Sequence, residues 1–147
     1  PEFVDYDTPY RRSTLNKKIA DMGQIMNLVK DNKIESIAKN TQVYNIETYI
    51  DDGKMIKNAR YKVAITECSH DLVSDLGHYL VEHKECDFAM LWRYDHFSEK
   101  YWYSLRSDDA HADVSAVCKI YGGGGHRNAS GMESLLHPKD LFSYIKV

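Results

Sequence analysis

From Ser13 onward the apolar positions Leu15, Ile19, Met22, Met26 and Val29 step by 4, 3, 4 and 3 residues. That spacing puts all five on one stripe of an α-helix. Ser13 or Thr14 suits the N-cap, because a hydroxyl accepts a hydrogen bond from an amide of the first turn. The seam is narrow. It fits a helix lying on the core of its own domain, or a connector helix that packs against a neighbouring domain or its twin in a homodimer. A second short helix is expected over residues 32–39, with Ile34, Ile37 and Ala38 inward. Upstream, residues 4–12 are polar, carry Pro9 and show no period.

Past residue 40 the period falls to two. Tyr44, Ile46, Thr48 and Ile50 alternate with Val43, Asn45, Glu47 and Tyr49, the pattern of a half-buried strand. Asp52-Gly53 is a turn signal, and strands are expected at 55–56 and again at 61–67. A helix over 70–83 turns Leu72, Val73, Leu76 and Leu80 inward and leaves His70, His78 and His83 at its surface. Residues 87–93 carry a continuous apolar run, Phe88 to Trp92, as in a central strand covered on both faces. A polar hairpin over 95–100 leads to a return strand at 101–107. There Trp102, Ser104 and Arg106 share one face, and Tyr101, Tyr103 and Leu105 the other. A helix over 113–121 follows, with Asp113 as N-cap, then a glycine run that cannot propagate it. A short strand at 130–136 and a last helix at 138–145, opened by Pro138, complete the chain. The sum is an α/β domain, with α+β as the neighbouring class: a mixed sheet of about five strands flanked by helices, behind an N-terminal helical arm. We divide it as residues 1–12, a disordered lead in which Pro1-Glu2-Phe3 reads as a cloning remnant; 13–40, the arm; and 41–147, the domain.

Composition narrows the function classes. The chain has 147 residues, 43% of them apolar and 12% aromatic, enough for a real core. A net charge of −3 makes it no general binder of polyanions, so any grip on nucleic acid must come from a few cations on one surface. Cys68, Cys86 and Cys118 are scattered without a C-x-x-C pair, which argues against a disulfide framework and a zinc site. A reducing, intracellular setting fits, cytoplasmic or organellar. No apolar run approaches membrane-spanning length, so no membrane partner is expected.

Five of the eight glycines fall in the eleven residues Tyr121-Gly122-Gly123-Gly124-Gly125-His126-Arg127-Asn128-Ala129-Ser130-Gly131. Glycine costs backbone entropy and buries no side chain, so four in a row need a reason. Successive inward N–H groups form a concave anion site, and His126, Arg127 and Asn128 add donors at its rim. A flexible linker is the plainer reading, but linkers alternate Gly with Ser and lack such a tail. Arg106 ends the strand before this excursion, so both ends of it can meet at one sheet edge, with a bidentate guanidinium beside the glycine amides. Arg127 is expected to point to solvent, and Asn128 to satisfy the turn or touch a base or ribose. Trp102 shares the face of Arg106 and is the candidate for stacking on a base.

Gly-Gly-Gly-His followed by Arg-Asn-Ala-Ser-Gly resembles the signature of the DHH-associated C-terminal domain of the DHH/RecJ phosphoesterase superfamily. Ser104-Leu105-Arg106-Ser107 and Asp113-Val114-Ser115 agree with it. The likeness is clearest from Tyr61 to Gly131. It implies a substrate-binding domain holding the phosphate of a short single-stranded nucleic acid or a small, including cyclic, nucleotide. Gly122, Gly123, Gly124, Gly125, His126, Arg106 and Ser104 would then contact substrate. It also implies that hydrolysis is performed by a partner DHH domain of the same polypeptide, with Mn²⁺ or Mg²⁺ held there. This chain has no Asp-His-His element, and Asp95-His96 and His111-Ala112-Asp113 lack the converging carboxylates of a two-metal site. No catalytic or metal-binding residue is therefore expected here. Related glycine loops occur in the C-terminal domain of alanyl-tRNA synthetases, so the alternative is a non-catalytic RNA-binding or dimerisation domain.

Overall fold

The computed structural model describes residues 9–146, with side chains from Arg12 onward. The chain divides into two units between Ser36 and Ile37. The described residues of the first form a single helix, α1 (Pro9–Asn40), which continues four residues into the second. One helix thus replaces the two expected, because Lys30, Asp31 and Asn32 include no breaker strong enough to stop it. Pro9 to Arg12 of the expected lead are helical, and residues 1–8 lie outside the described residues. Among the described residues, nothing else in its own unit covers the apolar stripe of this helix. Leu15 is 40% exposed, and Ile19, Met22, Met26 and Val29 between 59% and 69%.

The second unit runs β1 (Gln42–Asp51), β2 (Ile56–Glu67), a 3₁₀ turn (His70–Leu72), α2 (Val73–His83), β3 (Phe88–Asp95), β4 (Lys100–Arg106), α3 (Val114–Ile120), β5 (Gly124–His126), β6 (Ala129–Ser134), α4 (Pro138–Leu141) and β7 (Ser143–Tyr144). The strands form one mixed sheet in the order β5-β6-β4-β3-β2-β1-β7. The α/β class holds, but the sheet has seven strands rather than about five. The two unforeseen ones, β5 and β7, are three and two residues long, too short to display a period. β2 is continuous where two strands were expected, and the final helix stops at Leu141 because Phe142 turns extended into β7.

Pairing is antiparallel except between β2 and β3. A parallel pair needs a crossover, and α2 supplies it. The Asp52-Gly53 turn joins β1 to β2: Asp51 Oδ1 accepts from Gly53 N (2.9 Å), and Asp52 Oδ1 from Lys54 N (2.9 Å) and Met55 N (3.0 Å). One sheet face carries Ile46, Val63, Phe88, Met90, Tyr103 and Leu105 against Val114, Val117 and Cys118 of α3. The other receives α2, whose Gly77 lies directly over Arg106 and Leu91.

Candidate functional site

The glycines leave α3 and build the sheet edge. Gly122 adopts φ +79°, and the N–H groups of Gly122 and Gly123 donate to the carbonyls of Lys119 (3.2 Å) and Cys118 (3.0 Å). This is a Schellman closure, which needs a residue free of a Cβ at the left-handed position. Two of the expected anion-facing amides therefore close a helix instead of forming a nest. Gly124-Gly125-His126 then pair with β6 as an edge strand. A Cβ on Gly123 would stand 2.2 Å from the carbonyl oxygen of Gly131, and one on Gly125, at φ +146°, 2.7 Å from that of Ala129. Gly124 is different. A Cβ there meets nothing within 4 Å, and its φ lies outside the left-handed range, so the fold makes no use of its bare backbone.

The hairpin tip is tied down. Arg127, though exposed, donates from Nη1 to Asp108 O (2.7 Å) and Asn128 Oδ1 (2.7 Å), and from Nη2 to His111 O (2.6 Å). Asn128 Nδ2 donates to Asp109 Oδ1 (2.7 Å), and its carbonyl accepts from Ser107 N (2.9 Å). Both side chains lock the tip to the loop after β4. Asp108 also bonds His111 Nδ1, and this hydrogen bond holds the carboxyl below its ordinary range. Asp113 caps α3, accepting from Ser115 N (3.0 Å).

Register decides which predicted residues meet. Ala89, Arg106, Ala129 and His126 form one row across β3, β4, β6 and β5. Aligned residues share a face, and two strand spacings put the Arg106 and His126 backbones roughly 10 Å apart. The next row is Leu91, Ser104, Gly131 and Gly124, and the one after it Arg93, Trp102 and Glu133. Arg106 is half-buried, and desolvation lowers the pKa of its guanidinium. Its one hydrogen bond runs from Nη1 to Leu105 O (3.0 Å), and it has no carboxylate partner among the described residues. The exposed ring of His126 likewise has no hydrogen-bond partner among the described residues.

A cleft of about 410 Å³ opens along the neighbouring rows, lined by Trp102, Ser104, Gly122, Gly123 and Gly131 and also by residues that sequence reasoning missed: His70, Arg93 and Glu133; Arg106, Gly124 and His126 do not line it. The Arg93 guanidinium lies 4.6 Å from the Trp102 ring centroid, and Trp102 Nε1 donates to Ser98 Oγ (3.3 Å). Arg93 was legible as the cation closing an apolar strand, two residues from Leu91 and so on its face. His70 was read as a surface residue of the helix, and nothing in its spacing marks a cleft. Cys68 also lines the cleft, but burial pushes its thiol up to about 11, so it is no ready nucleophile. Among the described residues no three of His, Cys, Asp and Glu gather to hold a metal ion, so the donor set here does not fit a two-metal centre. Nor, among them, is any helix long and apolar enough to cross a membrane.

No family model matches the chain. Uncharacterized protein R106 of Acanthamoeba polyphaga mimivirus is 42% identical over 81 residues, which cover 53% of this chain and 19% of that protein. The chain thus spans about a fifth of that relative's length. Among solved structures, an uncharacterized protein from Helicobacter pylori G27 superposes with a TM-score of 0.42 at 24% identity, over 68% of this chain and 24% of that one. The pGpG-specific phosphodiesterase PggH from Vibrio cholerae gives 0.48 at 10% identity, over 92% and 40%.

Proposed function

We propose that residues 41–147 are the phosphate-holding, substrate-binding domain of a DHH-type phosphoesterase. The observation that carries this reading is Arg106, a half-buried guanidinium without a carboxylate partner among the described residues, one row from a glycine whose bareness the fold does not require. A cation taken partly out of water is costly unless an anion pairs with it, and a guanidinium fork matches two phosphate oxygens. The resemblance of the 122–131 segment to the DHH-associated signature supports the same ligand.

Arg106 grips the phosphate, and His126 donates a further hydrogen bond from the same face. Gly124 lets an oxygen approach main chain that a side chain would shield. Trp102, held by Arg93 and Ser98, offers a surface for the adjoining base. Arg127 and Asn128 act through the hairpin they anchor, which sets the position of His126. The Mn²⁺ or Mg²⁺ ions that hydrolysis needs belong to a DHH domain of the same polypeptide. This domain's part is to orient the phosphate, and positioning alone can supply much of a rate enhancement.

Calorimetric titration with the dinucleotide pApA tests the assignment. Arg106→Lys, which keeps charge and bulk but loses the fork, and His126→Ala should each weaken binding about tenfold to a hundredfold, the loss of one charge-assisted contact. Unchanged affinity in both variants overturns it. Binding of tRNA but not of pApA overturns it in favour of an RNA-binding domain like that of the alanyl-tRNA synthetases.

A further inference from the structure

We infer that the sheet carries a second small-molecule site, on the face opposite Trp102, which receives a planar nitrogen heterocycle bearing both N–H donors and a carbonyl. The site is a groove of about 580 Å³ whose lining includes Tyr44, Glu67, Trp92, His137, Lys139 and Tyr144, within the size range of small-molecule pockets. Register puts Glu67 beside Trp92, and Trp92 opposite the buried Tyr103, on the face away from Trp102.

The rings are held before any ligand arrives. Trp92 meets His137 edge-on, with centroids 5.4 Å apart, and Tyr44 meets Tyr144 in the same way at 5.8 Å. Tyr144 is fixed in turn by its hydroxyl, which donates to Pro138 O. His137 Nδ1 accepts from Lys139 N (3.1 Å), so the neutral ring presents its N–H from Nε2. Tyr44 remains 38% exposed, a large aromatic surface left in water although its neighbours are packed.

Two charges decide the ligand. Glu67 and Lys139 both line the groove, and neither forms an ion pair among the described residues. An apolar peptide or acyl chain would bring these charges nothing to bind. A flat ring with N–H groups for the carboxylate and a carbonyl for the ammonium meets both while its faces lie on the aromatic walls. Trp92 also lines the cleft that holds Trp102, but Tyr44, Glu67, His137, Lys139 and Tyr144 do not, so substitutions at Tyr44 and Glu67 test this site apart from the phosphate site.

The chain has two tryptophans, so in a Trp102→Phe variant emission comes from Trp92 alone. Titration of that variant with guanosine should quench it saturably. Purine riboside, which has the ring but neither the amino group nor the carbonyl, should bind more weakly. Adding Tyr44→Ala or Glu67→Gln should each raise the guanosine Kd about tenfold, the scale of one lost stack or charged contact. Three results overturn the inference: no quenching up to the solubility limit, purine riboside or cyclohexanol binding as well as guanosine, or unchanged binding in both added variants. Nucleosides carry no phosphate, so failure here leaves the pApA experiment to be judged by itself.

Discussion

Four consecutive glycines stand in this chain for separate reasons, and substitution separates them. Gly122 supplies a left-handed φ at the end of α3, while Gly123 and Gly125 make room for β6. Gly123→Ala would force a methyl group to within 2.2 Å of a backbone oxygen, where no flexible side chain can give way. Chemical denaturation should show a loss of about 1–3 kcal/mol, as for an overpacked core. Gly124→Ala meets open space, so stability should stay within about 0.5 kcal/mol of the parent. Its affinity for pApA should nevertheless fall, because the methyl group covers main chain that the ligand approaches. Equal stability losses in the two variants would show that the clash at Gly123 relaxes at no cost.

At the scale of elements, α3 is defined by its ends. Asp113 accepts from both the amide (3.0 Å) and the hydroxyl (2.5 Å) of Ser115, and glycine closes the other end one turn past Cys118. With only seven residues of its own, the helix depends on these stops and on its buried face. Asp113→Ala should cost about 1 kcal/mol, the usual value of an N-cap, read as a lower denaturation midpoint with an unchanged slope. α1 is the converse case, a long helix with no core inside its own unit among the described residues. Gly23 sits in its interior, and a methyl group added there would meet nothing within 4 Å. Gly23→Ala should therefore raise the helical circular-dichroism signal and stabilise α1 by about 1 kcal/mol.

Across the described residues the buried thiols and phenols share one direction. Burial pushes Cys118 and Tyr144 up to about 12 and Cys68 up to about 11, and it raises Tyr61, Tyr103, Tyr121 and Cys86 as well. Each is neutral when protonated, so the folded state holds these protons more tightly than the unfolded chain does. Stability is then fully present below the ordinary thiol value of 9.0 and is lost as pH rises toward about 12. Thermal melts from pH 7 to 11 should show Tm falling steadily above about pH 9, and Cys118→Ala should flatten the fall. On the acid side, Asp52, Asp95 and Asp108 are held below their ordinary range by hydrogen bonds. Their contribution is lost as pH falls through their lowered values. All three are at the surface and water screens them, so this decline should be shallow.

Sequence alone determined what local chemistry enforces. The alternation of β1, the apolar run of β3, the Asp113 cap and the two faces of β4 were legible because side-chain period and capping act over a few residues. The helix-ending role of the glycine run was legible for the same reason, since no stretch of bare backbone extends a helix. Only the tertiary structure decided that Gly124 to His126 pair as an edge strand, that Arg106 and His126 lie in one row, and that Arg127 and Asn128 brace the loop beside them. Strand pairing joins residues far apart in the chain, and one register fixes every side-chain meeting across it. No local period records which partner a strand will take.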